Sequence, residues 1–131
     1  MSQATYLDSS AVVKLVVEEP ESAALRRFLR RRRPLVSSAL IRTEVARALS
    51  TQGTEALGRA RAVFLRLELL RINDRVLDAA GLLGPNDLRS LDAIHLASAQ
   101  QLGNDLGHLV TYDTRMAAAA ELLGLRTVAP T

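Results

Sequence analysis

Short apolar runs alternate with longer stretches of helical periodicity along the chain. Residues 4–7, 34–36, 68–72 and 109–112 are compact and rich in Leu, Val, Ile and Tyr, as strands buried in a sheet are, and residues 126–128 read as an edge strand. Between them the apolar positions recur at helical spacing. Residues 9–17 predict a helix broken at Glu18-Glu19-Pro20. A second runs from Glu21 to about Arg32, with Ala24, Leu25, Phe28 and Leu29 as its stripe. Ser37 or Ser38 suits the cap of a third helix reaching about Thr51, and a fourth spans about 54–67. Asn73 or Asp74 caps a short helix ending near Gly84-Pro85. Ser90 caps one over 91–102 that stops at Gly103, and the last long helix ends at Gly124. Strands alternating with helices require crossover connections, which are right-handed and produce a mainly parallel sheet covered on both faces. The expected fold is a three-layer α/β/α domain with four or five short strands and six or seven helices.

Composition narrows the setting. A length of 131 residues fits one domain, and 48% hydrophobic content supports a single core across residues 1–131. With aromatics at 3%, that core must be aliphatic. The absence of cysteine removes disulfides, thiolate metal sites and a Cys nucleophile. No basic-then-apolar leader opens the sequence and no apolar run approaches the ~18 residues of a membrane span, so a soluble, cytoplasmic protein is expected. The formal charge is only +3, yet Lys14 is the one lysine among 17 basic residues. Arginine's planar fork suits phosphate and carboxylate, although a general bias toward Arg explains the count equally well.

Four acids stand apart from a solvated surface pattern. Asp8 closes the first strand and Asp113 closes Leu109-Val110-Thr111-Tyr112, each followed at once by a helix. Carboxylates so placed lie at the carboxyl edge of the sheet, where open α/β sheets bind ligands. Asp92 falls in the first turn of its helix, where the backbone N–H groups favour an anion. Glu44 shares a helix face with Leu40, Ile41 and Ala48, so it points inward and needs either a buried Arg partner or a metal. Each aspartate alone also serves as an ordinary helix cap. Together they describe an acidic site assembled from remote segments. Carboxylates so close repel one another unless a hard cation such as Mg²⁺ or Mn²⁺ joins them. Such an ion supports in-line displacement at phosphorus, and beside an arginine-rich exterior this points to nucleic acid hydrolysis.

These motifs resemble those of PIN-domain ribonucleases, specifically the VapC toxins of type II toxin–antitoxin systems. The resemblance spans nearly the whole chain. It is carried by Tyr6-Leu7-Asp8-Ser9-Ser10-Ala11, Arg42-Thr43-Glu44-Val45, Leu91-Asp92-Ala93-Ile94-His95-Leu96-Ala97 and Thr111-Tyr112-Asp113-Thr114-Arg115. It implies a Mg²⁺- or Mn²⁺-dependent endoribonuclease held in check by a VapB-like antitoxin whose C-terminal segment occupies the active-site groove, and it implies a homodimer. Asp8, Asp92 and Asp113 then become direct metal ligands, and Glu44 binds the ion through water or orients the attacking water. Thr111 and Ser9, beside two of the acids, are placed to hydrogen-bond a ligand carboxylate or water. Arg115 is the candidate for the scissile phosphate or an antitoxin carboxylate.

Other features carry less. His95 lies one turn after Asp92, but its apolar surroundings favour a packed histidine with a satisfied ring over a ligand or base. His108 reads as a surface residue. Arg30 to Arg33 fits RNA phosphates and a solvated helix terminus about equally. The aliphatic content predicts an exposed apolar groove for an antitoxin helix. Two alternative functions are a non-catalytic RNA- or protein-binding module of the same fold and another Mg²⁺-dependent phosphohydrolase or phosphoacceptor. The second class usually needs a lysine late in the chain, and Lys14 is early.

Overall fold

A computed structural model describes residues 3–131. Five strands, β1 (Ala4–Leu7), β2 (Leu35–Ser38), β3 (Glu68–Leu70), β4 (Leu106–Val110) and β5 (Thr127–Val128), form one sheet in the order β3-β2-β1-β4-β5. Every pairing is parallel. Seven α-helices cover it: α1 (Ser9–Val16), α2 (Ser22–Leu29), α3 (Ile41–Ala48), α4 (Thr54–Phe64), α5 (Asp74–Gly81), α6 (Ser90–Gln100) and α7 (Thr114–Leu122). The expected α/β/α architecture is thus the one observed.

The period-two alternation of the strands divides the core. Leu7, Leu35 and Val110 face one side and pack with Val12, Leu25, Ile41, Val45 and Ala60 of α1 to α4. Tyr6, Val36 and Leu109 face the other, against Leu96 and Ala99 of α6 and Met116, Ala119 and Ala120 of α7. A parallel sheet buried on both faces explains why its strands are apolar throughout. The small alanines of α6 and α7 let those helices lie close to the sheet. No described helix is long and apolar enough to cross a membrane.

Several boundaries differ from the expected ones, for local reasons. The second helix stops at Leu29 rather than Arg32. Arg32 stacks over the Phe28 ring at 4.0 Å and its guanidinium donates to the Phe28 carbonyl at 2.8 Å, closing the helix end, while Pro34 disfavours helix just before it. Ser37 and Ser38 belong to β2 and are fully buried rather than capping from a loop, although Ser38 Oγ still accepts from Leu40 N. The fourth strand starts three residues early, at Leu106, because Gly107 permits a tight approach to β1. A Cβ there would stand 3.1 Å from Gln3 Cβ and 3.2 Å from the Ala4 carbonyl oxygen. Thr111 and Tyr112 therefore run beyond the strand into the carboxyl-edge loop. Helix α6 begins at Ser90 without a side-chain cap. His108, expected at the surface, is half-buried within β4 with its ring edge-on to Phe28.

Candidate active site

The carboxyl ends of β1, β2 and β4 bring the singled-out acids to one side of the sheet. Asp8, one residue past β1, is 3% exposed and caps α1 through the Ala11 N–H at 3.0 Å. Its Oδ1 also accepts from Ser10 Oγ at 2.6 Å and its Oδ2 from Thr111 Oγ1 at 2.5 Å. Thr111 Oγ1 in turn accepts from the Asp113 N–H at 3.1 Å, and Ser10 Oγ accepts from the Tyr112 N–H at 3.0 Å. Two hydroxyls thus stitch the end of β1 to the loop after β4. The residue serving Asp8 is Ser10, which the sequence reading passed over. Its neighbour Ser9 is half-buried and lines the adjoining cavity.

Asp113 caps α7, accepting from the Arg115 and Met116 N–H groups. Asp92 sits in the first turn of α6. Burial pushes the Asp8 carboxyl above its ordinary range, against the pull of its hydrogen bonds from Ser10, Thr111 and Ala11. Burial also raises the Asp92 carboxyl, and the charge of Asp113 raises it further, with smaller contributions from Asp8 and Glu44. Among the described residues, however, no three Asp, Glu or His side chains close into a ready-made metal cage.

Glu44 projects from α3 as its apolar face requires, but its inward partner is a histidine rather than an arginine. Glu44 Oε1 meets His95 Nε2 at 2.6 Å. The opposite ring nitrogen, Nδ1, meets the Tyr6 hydroxyl at 2.8 Å. His95 is a packed histidine with both nitrogens satisfied, as its surroundings predicted, and it is 1% exposed. What went unread is that one of its partners is a site acid. The Asp92-x-x-His95 spacing on α6 was the available signal, since it puts both groups on one helix face. Burial drives the Tyr6 hydroxyl far above its ordinary pKa, so it stays protonated.

Two cavities flank the acids. One of about 310 Å³ is lined by Ser9, Ser10, Lys14, Glu44 and Tyr112. Lys14 lies over the Tyr112 ring, 4.7 Å from its centroid, and is paired with Glu21 at 2.7 Å and Glu19 at 3.3 Å. The other, about 230 Å³, contains Asp92 together with Arg89 and the exposed Arg115. On one side the cation is balanced by glutamates, while the other sets two guanidinium groups beside the carboxylates of Asp87 and Asp92.

Residues 5–122 of this five-stranded parallel α/β fold match the PIN domain. The chain belongs to the PIN-domain family and, within it, to the VapC proteins. It is 61% identical over 127 residues to Ribonuclease VapC46 of Mycobacterium tuberculosis (strain ATCC 25618 / H37Rv), with 97% of this chain and 98% of that protein covered. Ribonuclease VapC35 of the same strain is 45% identical over 130 residues, covering 95% and 96% of the two chains. The fold is shared with the crystal structure of M. tuberculosis VapC20, described as a Sarcin-Ricin loop cleaving toxin, at a TM-score of 0.77 and 17% identity over 96% of this chain and 99% of that one. A toxin–antitoxin complex from Klebsiella pneumoniae matches at a TM-score of 0.73 and 22% identity, over 97% and 98%.

Proposed function

We propose that this protein is the toxin of a type II toxin–antitoxin pair, an endoribonuclease that hydrolyses RNA phosphodiester bonds with Mg²⁺ or Mn²⁺. Full-length similarity to named VapC ribonucleases supports the toxin ribonuclease class. The observation that carries the site reading is geometric: Thr111 bonds both Asp8 and the Asp113 N–H, and His95, on the helix that bears Asp92, bonds Glu44.

The donors fit the ion. All are hard carboxylate oxygens, the ligands that Mg²⁺ and Mn²⁺ prefer. Mg²⁺ keeps several waters and is bound through only one or two carboxylates, so an open acidic cluster suits it better than a closed cage would. Asp8 and Asp92 are the direct ligands in this reading, with Asp113 completing the set. Once bound, the ion neutralises charge developing on the phosphoryl oxygens and lowers the pKa of a bound water.

The chain's own residues supply the rest. Ser10 and Thr111 hold Asp8 in one orientation. Glu44 orients the attacking water, and Ser9 contributes a hydroxyl to the same cavity. Arg115, with Arg89 beside it, holds the scissile phosphate by paired N–H donors. The C-terminal segment of the antitoxin occupies the active-site groove in this reading, and its helix belongs at the opposite, amino edge of the sheet. There a cavity of about 270 Å³ has an apolar floor that includes Leu15, Leu29 and Leu35, and a rim of Arg26, Arg30, Arg33 and Arg66. That combination is complementary to an acidic amphipathic helix. A homodimer in the cytoplasm completes the proposal. Leu82 and Leu122, 88% and 78% exposed, are apolar surface that a second copy would cover, and sedimentation of the purified chain as a monomer would contradict this.

The test is cleavage of defined RNAs with Mg²⁺, with Mn²⁺ and with EDTA. Cleavage that needs the metal and disappears in Asp92→Asn supports the reading, whereas cutting that persists in EDTA contradicts it. Growth arrest by both wild type and Asp92→Ala would instead favour a non-catalytic module.

A further inference from the structure

The contact between Glu44 and His95 does more than satisfy two buried groups. It joins the two helical layers across the top of the sheet, since Glu44 comes from α3 on one face and His95 from α6 on the other, with Tyr6 of β1 behind them. We propose that Tyr6, His95 and Glu44 form a positioning relay that locks Oε1 of Glu44 and leaves Oε2 as the oxygen that holds and orients a water on the divalent ion. This rests on the metal-dependent reading given above.

The direction of the relay follows from donor and acceptor chemistry. An ionised carboxylate only accepts, so the proton between Glu44 and His95 belongs to Nε2. A neutral ring then has Nδ1 as its acceptor, and the Tyr6 phenol, 2.8 Å away, is the donor. Burial and packing hold the ring in place. It is 1% exposed, and it meets the Tyr6 ring edge-on at 5.9 Å between centroids and 80° between planes. Histidines that ligate metals are commonly fixed by a carboxylate at the far nitrogen, and the same logic runs in reverse here, with an imidazole fixing the carboxylate. His95 is a positioning residue in this scheme. It touches neither ion nor RNA.

The relay makes distinct predictions for near-isosteric changes. In His95→Gln the side-chain amide reaches the position of Nε2 and still donates to Glu44. In His95→Asn the amide reaches only the position of Nδ1, keeping Tyr6 and losing Glu44. Mn²⁺ titration of the purified proteins without RNA, beside thermal denaturation of each, separates positioning from a mere tie between layers. The relay predicts Mn²⁺ affinity weakened about ten- to a hundredfold in His95→Asn and largely restored in His95→Gln, with Tyr6→Phe between them. Equal Mn²⁺ affinity in wild type and folded His95→Asn overturns the relay and leaves the metal reading standing. No Mn²⁺ binding by wild type overturns that reading and the relay with it. Should His95→Asn fail to fold, ¹⁵N-histidine NMR of the wild-type protein decides, because only two histidines contribute signals. The relay requires Nε2–H at His95, and an Nδ1–H tautomer overturns it.

Discussion

The two edges of the sheet handle charge in opposite ways. At the carboxyl edge, Asp8 is buried and bonded on both oxygens, Glu44 is clamped by His95, and Asp113 caps a helix. At the amino edge, arginines stand in solvent around an apolar floor, and Arg26 has only the exposed Glu18 as a partner. Holding carboxylates out of water costs several kcal/mol unless each is paired, so the first edge is a place where geometry is kept at the expense of stability. Solvated arginines cost little and stay mobile, as an association surface allows. In the proposed function the first edge carries the chemistry and the second takes the antitoxin helix.

The contrast breaks most visibly under substitution of the acids. Asp8→Asn and Asp92→Asn should each lower RNA cleavage by on the order of a hundred- to a thousandfold, as loss of an electrostatic catalytic group does, in single-turnover assays. At the amino edge, the double change Arg30→Glu, Arg66→Glu should weaken antitoxin binding by about ten- to a hundredfold in calorimetry. Cleavage by the free toxin should be unchanged. If cleavage falls as well, the two edges are not separate in function.

Thr111 sharpens the first edge. Its hydroxyl donates to Asp8 and accepts from the Asp113 N–H, and it is 2% exposed. Thr111→Val keeps the shape and strands both partners, so activity should drop about tenfold and stability by about 1–3 kcal/mol in denaturant titration. Ser9→Ala should have a much smaller effect than Ser10→Ala in the same assays, because Ser10 carries the bond to Asp8.

The smallest effect expected is on pH-dependent stability of the metal-free protein. Asp8 and Asp92 have folded pKa values raised above the ordinary aspartate range, principally by burial. Between the unfolded and the raised folded pKa, the native state binds more protons than the unfolded one, so stability falls as pH rises through that window. The apo protein should therefore melt higher just above pH 4 than these two groups alone allow at neutrality. Asp92→Asn should remove part of that difference and raise the neutral melting temperature. A neutral melting temperature unchanged in Asp92→Asn would mean that the carboxylate is not under strain in the folded state.

Strand alternation and helical stripes made the layered fold legible, because burial on both sheet faces imposes its period directly on the sequence. The acids were legible for a related reason. A polar group that ends an apolar run, or that interrupts an apolar face as Glu44 does, must be satisfied by something the local sequence does not supply. What stayed hidden depended on pairing across the chain. Ser9 and Ser10 are equivalent as sequence, and only the path of the loop after β4 selects Ser10, through the Tyr112 N–H. His95 was recognisable as a packed ring, but its link to Glu44, 51 positions away, arises where two helical layers meet. The start of β4 depended on how closely Gly107 approaches β1, a contact that strand propensity does not encode.

Titration of the wild-type protein with Mn²⁺, repeated on Asp8→Asn, Asp92→Asn and Arg30→Glu, goes to the root of this reading. Saturable binding that is lost in both aspartate variants and kept in Arg30→Glu is the expected result. A wild-type protein that ignores Mn²⁺, or binds it equally well without those carboxylates, would contradict a metal site at the carboxyl edge.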